Sequence, residues 1–354
     1  MKAIGRVILS AILLVLTGLL AAFAKAAPSA LFSFYTGWSR AAIAAISSVT
    51  SLVPFAVWEV LVVLLALWFF YTFICVFTKH HSLLRWLSGV LLGACIGVFA
   101  FVALWGLNHF GPEIGQTLNL NVREYTKQEL TAATAYYAAQ ANQYAGSVSR
   151  DDDGRTVYPE FSALSAEAAD AYGTLSQSSP FFSGGLGPVK SLASWRLFSQ
   201  FGTTGIFVCL TGESCVNPDT YPAWIPFTMC HELAHKQAVA AEDDANFCAY
   251  LACMASGNDD FGYSGAFGAY IYCHNALSAV DRQAASEIWS TLSDSVAADV
   301  RAANEHYAQY EGKVQDAAQK VNDTYLKAFS EESGVQSYGE AADLLIAWYL
   351  KNNA

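Results

Sequence analysis

The stretch Pro226-Phe227-Thr228-Met229-Cys230-His231-Glu232-Leu233-Ala234-His235 decides how this chain is read. Residues four apart share one face of a helix, so His231 and His235 can offer ring nitrogens to a single metal ion, expected to be Zn2+. Glu232 sets a carboxylate beside that ion. There it can act as general base, taking a proton from a zinc-activated water as the water attacks a carbonyl. Pro226 and Thr228 supply a helix start, with Thr228 as the expected N-cap.

Catalytic zinc takes three protein ligands and keeps a fourth position open. Immediately C-terminal to the motif stands Glu242-Asp243-Asp244, followed by Ala245-Asn246 and an apolar helix over 247–253 that ends near Gly257. Glu242 is the expected third ligand, with Asp243 and Asp244 as alternatives. The pattern Glu-x-x-Ala-Asn over 242–246 resembles the ligand helix of gluzincin-type peptidases. The resemblance implies that the first Glu binds metal and that Asn246 supports a ligand from behind. Only six residues separate His235 from Glu242, closer to metzincin spacing, so the chain must reverse sharply around 238–241. Lys236, Gln237 and the acidic triplet do not suit a lipid-facing position, which places the site in water rather than in the bilayer.

Further N-terminal, Thr203–Leu210 (TTGIFVCL) is β-branched and aromatic and reads as a strand, followed by a turn over 211–222. Such a strand, just before the motif helix, is a candidate edge for an extended peptide to pair with. Residues 124–145, 163–177, 284–328 and 337–350 read as helices, while 149–155 and 183–190 read as a charged turn and a Gly/Pro loop. Tyr263 is the candidate oxyanion stabiliser; Glu213, Asn217 and His274 are weaker helpers. Six cysteines fall in this region. Cys209 and Cys215 flank a turn and could pair, although buried thiols are an equal reading.

The front of the chain is a different object. Of 354 residues, 54% are hydrophobic and only 14% charged. Up to residue 110 there are six basic residues against Glu59 alone, a net of +5, so the remainder carries −16 of the total −11. That acidic remainder lacks the basic footprint that nucleic-acid binding requires. Residues 7–24, 53–77 and 86–107 are apolar runs, each long enough to span a bilayer, for which about 20 residues suffice. The first also fits a cleavable signal peptide, with Ala22, Ala24 and Ala26 at its end. The basic loop KHHSLLR (79–85) should stay in the cytoplasm, which puts 25–52 and everything after 107 outside. The spans offer too little polarity for a transport path.

The segments ThrGlyIle (204–206), ThrGlyGluSerCysValAsn (211–217), ProPheThrMetCysHisGluLeuAlaHis (226–235), GluAspAspAlaAsnPheCysAlaTyrLeuAlaCys (242–253) and TyrSerGly (263–265) together resemble the bacterial membrane family known as domain of unknown function 3810. ThrTyrLeuLys (324–327) and GlyValGlnSerTyrGly (334–339) extend the likeness over nearly the whole chain. It implies a bacterial source and a zinc-peptidase-like domain, and no substrate. Ala238 and Asp244 stand where that family would have Gly and Glu.

The expected architecture is therefore mainly α. A membrane anchor over 1–110 precedes a mostly helical, zincin-like domain with a small β element over 111–354. The expected function is a multi-pass peptidase of the bacterial cytoplasmic membrane. Its catalytic domain would lie outside and cleave peptide or protein substrates. The alternative is a catalytically silent, zinc-stabilised envelope-binding domain.

Overall fold

The computed structural model describes residues 2–78, 82–328 and 337–353. Lys79, His80 and His81 of the basic loop, and 334–336 of the last family-like segment, lie outside them. The chain divides into two compact units, Met1–Gly111 with Val208–Glu213, and Pro112–Phe207 with Ser214–Ala354.

The first unit contains three helices long and apolar enough to cross a membrane, Ala3–Ala26, Val57–Phe77 and Leu83–Leu104. The second begins at Val57, four residues into the apolar run, after Ala56 in extended backbone. No residue of Val57–Phe77 is buried, and its surface is apolar on every side. Such a helix is stable in hydrocarbon, where its backbone is self-satisfied, and not in water. Two further helices, Pro28–Phe32 and Tyr35–Thr50, were not legible from the apolar pattern. The second buries Tyr35, Ser39, Ile43 and Ser47, one stripe at a four-residue interval. Tyr35 donates to the Ala103 carbonyl at 3.0 Å and Ser39 to the Leu104 carbonyl at 2.7 Å, satisfying oxygens that the end of the third long helix leaves open. Glu213 belongs to this unit. Its carboxylate accepts the Val57 and Trp58 N–H groups at 2.8 and 2.9 Å, which caps the Val57–Phe77 helix with a negative charge at its positive end.

The second unit is a helical assembly around one core. Lys127–Ala145 starts at a capping box made by Thr126 and Glu129 and packs along Asp259–Val280. The motif helix, Ile225–Lys236, packs against Glu242–Ala255, and Phe161–Ser178 lies on both. Ser337–Asn353 covers Glu242–Ala255 from another side. Three short strands, β1 Lys190–Ser191, β2 Gly205–Val208 and β3 Glu213–Val216, form a sheet in the order β1-β3-β2. β1 and β3 are parallel, with Lys190 opposite Cys215. β3 corrects the reading of 211–222 as a turn throughout. The Gly, Asn and Pro of that segment flank a four-residue buried strand too short to show a pattern. All eight cysteines are free thiols, and the six expected in the acidic domain are buried, so Cys209 and Cys215 are not paired.

Candidate metal centre

The motif helix is not capped by Thr228, which is buried inside its first turn, three residues past the start. Its open N-terminal groups are met from the Asp259–Val280 helix. Ser264 accepts the Phe227 N–H at 3.0 Å and donates to the Ala223 carbonyl at 2.6 Å. Deeper in, Tyr172 donates to the Cys230 carbonyl at 2.9 Å and Ser214 to the Glu232 carbonyl at 2.8 Å. Gly265 allows close approach, since a Cβ there would stand 2.7 Å from Cys253 Cβ. The helix that carries the two histidines is thus held by side chains from three other elements.

The sharp reversal demanded by the spacing is a Schellman turn. The Ala238 N–H donates to the His235 carbonyl at 3.0 Å and the Val239 N–H to the Ala234 carbonyl at 3.2 Å. Ala238 sits at φ 64°, in the left-handed region that favours glycine. Gln237, fully buried, pins the turn by bonding the Ser183 carbonyl at 2.5 Å and accepting the Ser183 hydroxyl at 2.9 Å. Lys236 and Gln237 therefore pack inside the protein rather than facing water. The turn delivers Glu242 to the first position of the next helix, opposite both histidines.

Three side chains meet there, with ligand atoms all within 4.8 Å of one another: His231, His235 and Glu242. The two Nε2 atoms are 3.1 Å apart, and Glu242 carboxylate oxygens lie 3.2 Å from His231 Nε2 and 3.9 Å from His235 Nε2. Behind them, His231 Nδ1 meets Asn246 Oδ1 at 2.9 Å and His235 Nδ1 meets the Val239 carbonyl at 2.8 Å. Both oxygens only accept, so each Nδ1 donates and each Nε2 turns a lone pair toward the other and toward Glu242. Three electron-rich groups facing one point repel unless a cation or a proton lies among them. Tetrahedral zinc with bonds of about 2.0–2.1 Å separates two nitrogens by roughly 3.3 Å, close to the observed histidine pair. The donor set and its outer hydrogen bonds fit zinc. Asp244 is not in the cluster, because its carboxylate accepts the Ile114 N–H at 2.9 Å, and Asp243 is likewise absent from it.

Glu232 is buried, and its Oε2 has no hydrogen-bond partner among the described residues. Burial pushes its carboxyl up to about 8, with His231 opposing and Glu242 adding to the rise. Burial alone would lower the His231 imidazole, but Glu242 and Glu232 outweigh it and hold its pKa above the ordinary histidine value. Gly205 of β2 lies against the Glu232 side chain, where a Cβ would come within 2.8 Å of Cδ. A glycine interrupting a strand-like run is the sequence signal for such an approach. The side chains of His231, His235 and Glu242 keep 11%, 9% and 17% exposure, enough for solvent to reach the cluster.

The other candidates sit elsewhere. Tyr263 is fully buried, and its hydroxyl donates to Asp299 Oδ2 at 2.5 Å with Arg150 over its ring. Asn217 pins a loop through Ser199 Oγ at 3.0 Å and the Thr203 carbonyl at 3.2 Å. His274 packs on Tyr270 and Trp289. Tyr272 escaped the sequence reading. It packs on Trp224 and Phe227, two turns and one turn before His231, and burial and then Glu242 push its phenol well above the usual tyrosine range.

The chain belongs to the family described as a protein of unknown function (DUF3810), whose model matches residues 34–346. No curated protein and no solved structure matches it.

Proposed function

We propose that this protein is a membrane-anchored zinc peptidase. The observation that carries the reading is the convergence of His231 Nε2, His235 Nε2 and the Glu242 carboxylate beside the unpartnered, buried Oε2 of Glu232. Bound by those three residues, zinc would supply Lewis-acid polarisation of a carbonyl and a water made acidic near neutral pH.

The chain's own groups supply the remainder. Asn246 and the Val239 carbonyl hold the two imidazoles in the tautomer whose Nε2 lone pair can bind a metal. Glu232 Oε2 accepts the proton of the attacking water and returns it to the leaving amine. Gly205 removes the side chain that would cover that carboxylate, and β2, at the edge of the sheet order, is where an extended peptide can pair. The basic 79–85 segment orients the anchor so that this domain faces the outside of a bacterial cytoplasmic membrane.

The test compares peptide termini at the cell surface between wild type and Glu232→Gln. The reading expects a set of termini lost in the variant, and purified protein slowed about 10²–10⁴-fold on a cleaved peptide, the usual contribution of a general base. Identical profiles under every growth condition would favour a silent, zinc-stabilised binding domain.

A further inference from the structure

One cavity in the second unit lies outside the cluster, about 230 Å³ in volume. It is smaller than the 300–1,000 Å³ typical of sites for whole small molecules, and so has room for one side chain. Thr203 and Thr204 form one wall, on the segment that leads directly into Gly205. That segment is fixed in place, since the Thr204 carbonyl accepts the Asn217 N–H at 2.8 Å. Consecutive Cα atoms are about 3.8 Å apart, so the cavity begins one residue from the backbone that touches Glu232.

Opposite this wall stands Asp219. Its Oδ2 accepts the Ser199 and Tyr310 hydroxyls, both at 2.7 Å, while Oδ1 takes no hydrogen bond among the described residues. His306 Nε2 is 3.6 Å from the same Oδ2, too long for a hydrogen bond. No lysine or arginine lines the cavity. The rings of Tyr307 and Tyr310 complete it, faces that attract a cation as well as an apolar stem. A carboxylate with one oxygen still open, flanked by His306 and aromatic rings but by no lysine or arginine among the described residues, suits a guanidinium or ammonium group on an aliphatic stem.

Building on the peptidase reading, we propose that this cavity is the specificity pocket of the same site, taking the lysine or arginine side chain of a peptide laid along β2. The anion is Asp219; Ser199 and Tyr310 hold it in place, and the tyrosine rings flank the stem.

The experiment uses the full chain in detergent micelles with zinc, and blocked peptides differing at one position among lysine, arginine, norleucine and glutamate. At one position flanking the cleaved bond, lysine or arginine should exceed norleucine at least tenfold in kcat/KM. Asp219→Asn should bring that ratio close to one by lowering kcat/KM for the lysine and arginine peptides, and Asp219→Glu should restore part of the preference. An unchanged ratio in Asp219→Asn, or a preference for glutamate, would overturn the pocket. A second readout needs no turnover: agmatine binding to Glu232→Gln protein, followed by calorimetry, should weaken at least tenfold when Asp219→Asn is added. Agmatine binding that depends on Asp219, without hydrolysis of any peptide, would remove the peptidase reading and keep the pocket. Hydrolysis with agmatine binding indifferent to Asp219 would do the reverse. Should Asp219→Asn not fold, Ser199→Ala and Tyr310→Phe release the anion from the two hydroxyls that hold it and should lower the preference severalfold. A preference unchanged in both would contradict a pocket built on that charge.

Discussion

Asp299 and Glu232 are both buried carboxylates of the second unit, and their surroundings differ in kind. Asp299 accepts Arg150 at 2.9 Å, the Tyr263, Tyr221 and Thr156 hydroxyls at 2.5, 2.8 and 2.7 Å, and the Thr156 N–H at 3.1 Å. Glu232 leaves Oε2 without a partner and stands beside three groups that turn lone pairs toward one another. A buried charge costs several kcal/mol unless it is paired and hydrogen-bonded. Asp299 meets that condition, although Arg150 beside it keeps Nε and Nη2 without a partner among the described residues, and it ties together the 150–156 turn, Tyr221, Tyr263 and the Asp294–Ala308 helix. Glu232 does not, and groups left in that condition are the kind that act on a substrate or bind an ion. The contrast teaches that burial and charge alone do not mark a site; the state of the hydrogen-bond partners does.

Removing the anion of the satisfied cluster should have the largest effect on the fold. Asp299→Ala leaves the half-buried Arg150 with no carboxylate partner and only the Gly154 carbonyl, and is expected to cost about 3 kcal/mol in chemical denaturation of the full chain. A cost under 1 kcal/mol would show that the cluster does not hold the unit together.

The same carboxylate sets a pH response. Burial raises the Asp299 pKa, but the hydroxyls of Tyr263, Thr156 and Tyr221 outweigh it and hold it below the ordinary value. The native value is therefore below the unfolded one, about 3.9. The stabilisation is fully present above that pH and is lost as pH falls through the lower native value. Wild type should lose stability below about pH 4 more steeply than Asp299→Asn; parallel curves would contradict the assignment.

Tyr263→Phe removes one donor to that anion and should cost about 1.5–3 kcal/mol while leaving peptide hydrolysis within a few-fold. A loss of kcat without loss of stability would return Tyr263 to the role of oxyanion stabiliser.

The smallest change lies at the turn. Ala238→Gly relieves a left-handed backbone and should stabilise by about 1 kcal/mol, read as a rise in thermal midpoint. A destabilised variant would mean that the Ala238 side chain contributes packing beyond the strain it costs.

The clustered residues His231, His235 and Glu242 were legible because their pattern is local. A four-residue interval on one helix and an acid at the head of the next need no knowledge of the rest of the fold. The long apolar helices were legible for the same reason. The supports were not. Ser264 replaces Thr228 at the start of the motif helix from 36 positions away or more, and no local rule pairs them. The Asp299 cluster draws on residues 150, 156, 221 and 263, which come together only once the helices have packed. The spacing located the reversal after His235, but Ala238 hid its left-handed cap, because the residue that normally announces one is glycine. β3 was hidden by the turn-forming residues around it, and the Tyr35–Thr50 helix by serines spaced to bond the carbonyls of a neighbouring helix.

The central claim is tested most directly by metal analysis of the purified full chain in detergent. The account predicts about one zinc per chain, retained in Glu232→Gln and reduced at least tenfold in occupancy by His231→Ala or Glu242→Ala at matched free zinc, since each variant removes one of three ligands. Protein that carries no zinc when purified with zinc present, or zinc content unchanged by His231→Ala, would contradict it.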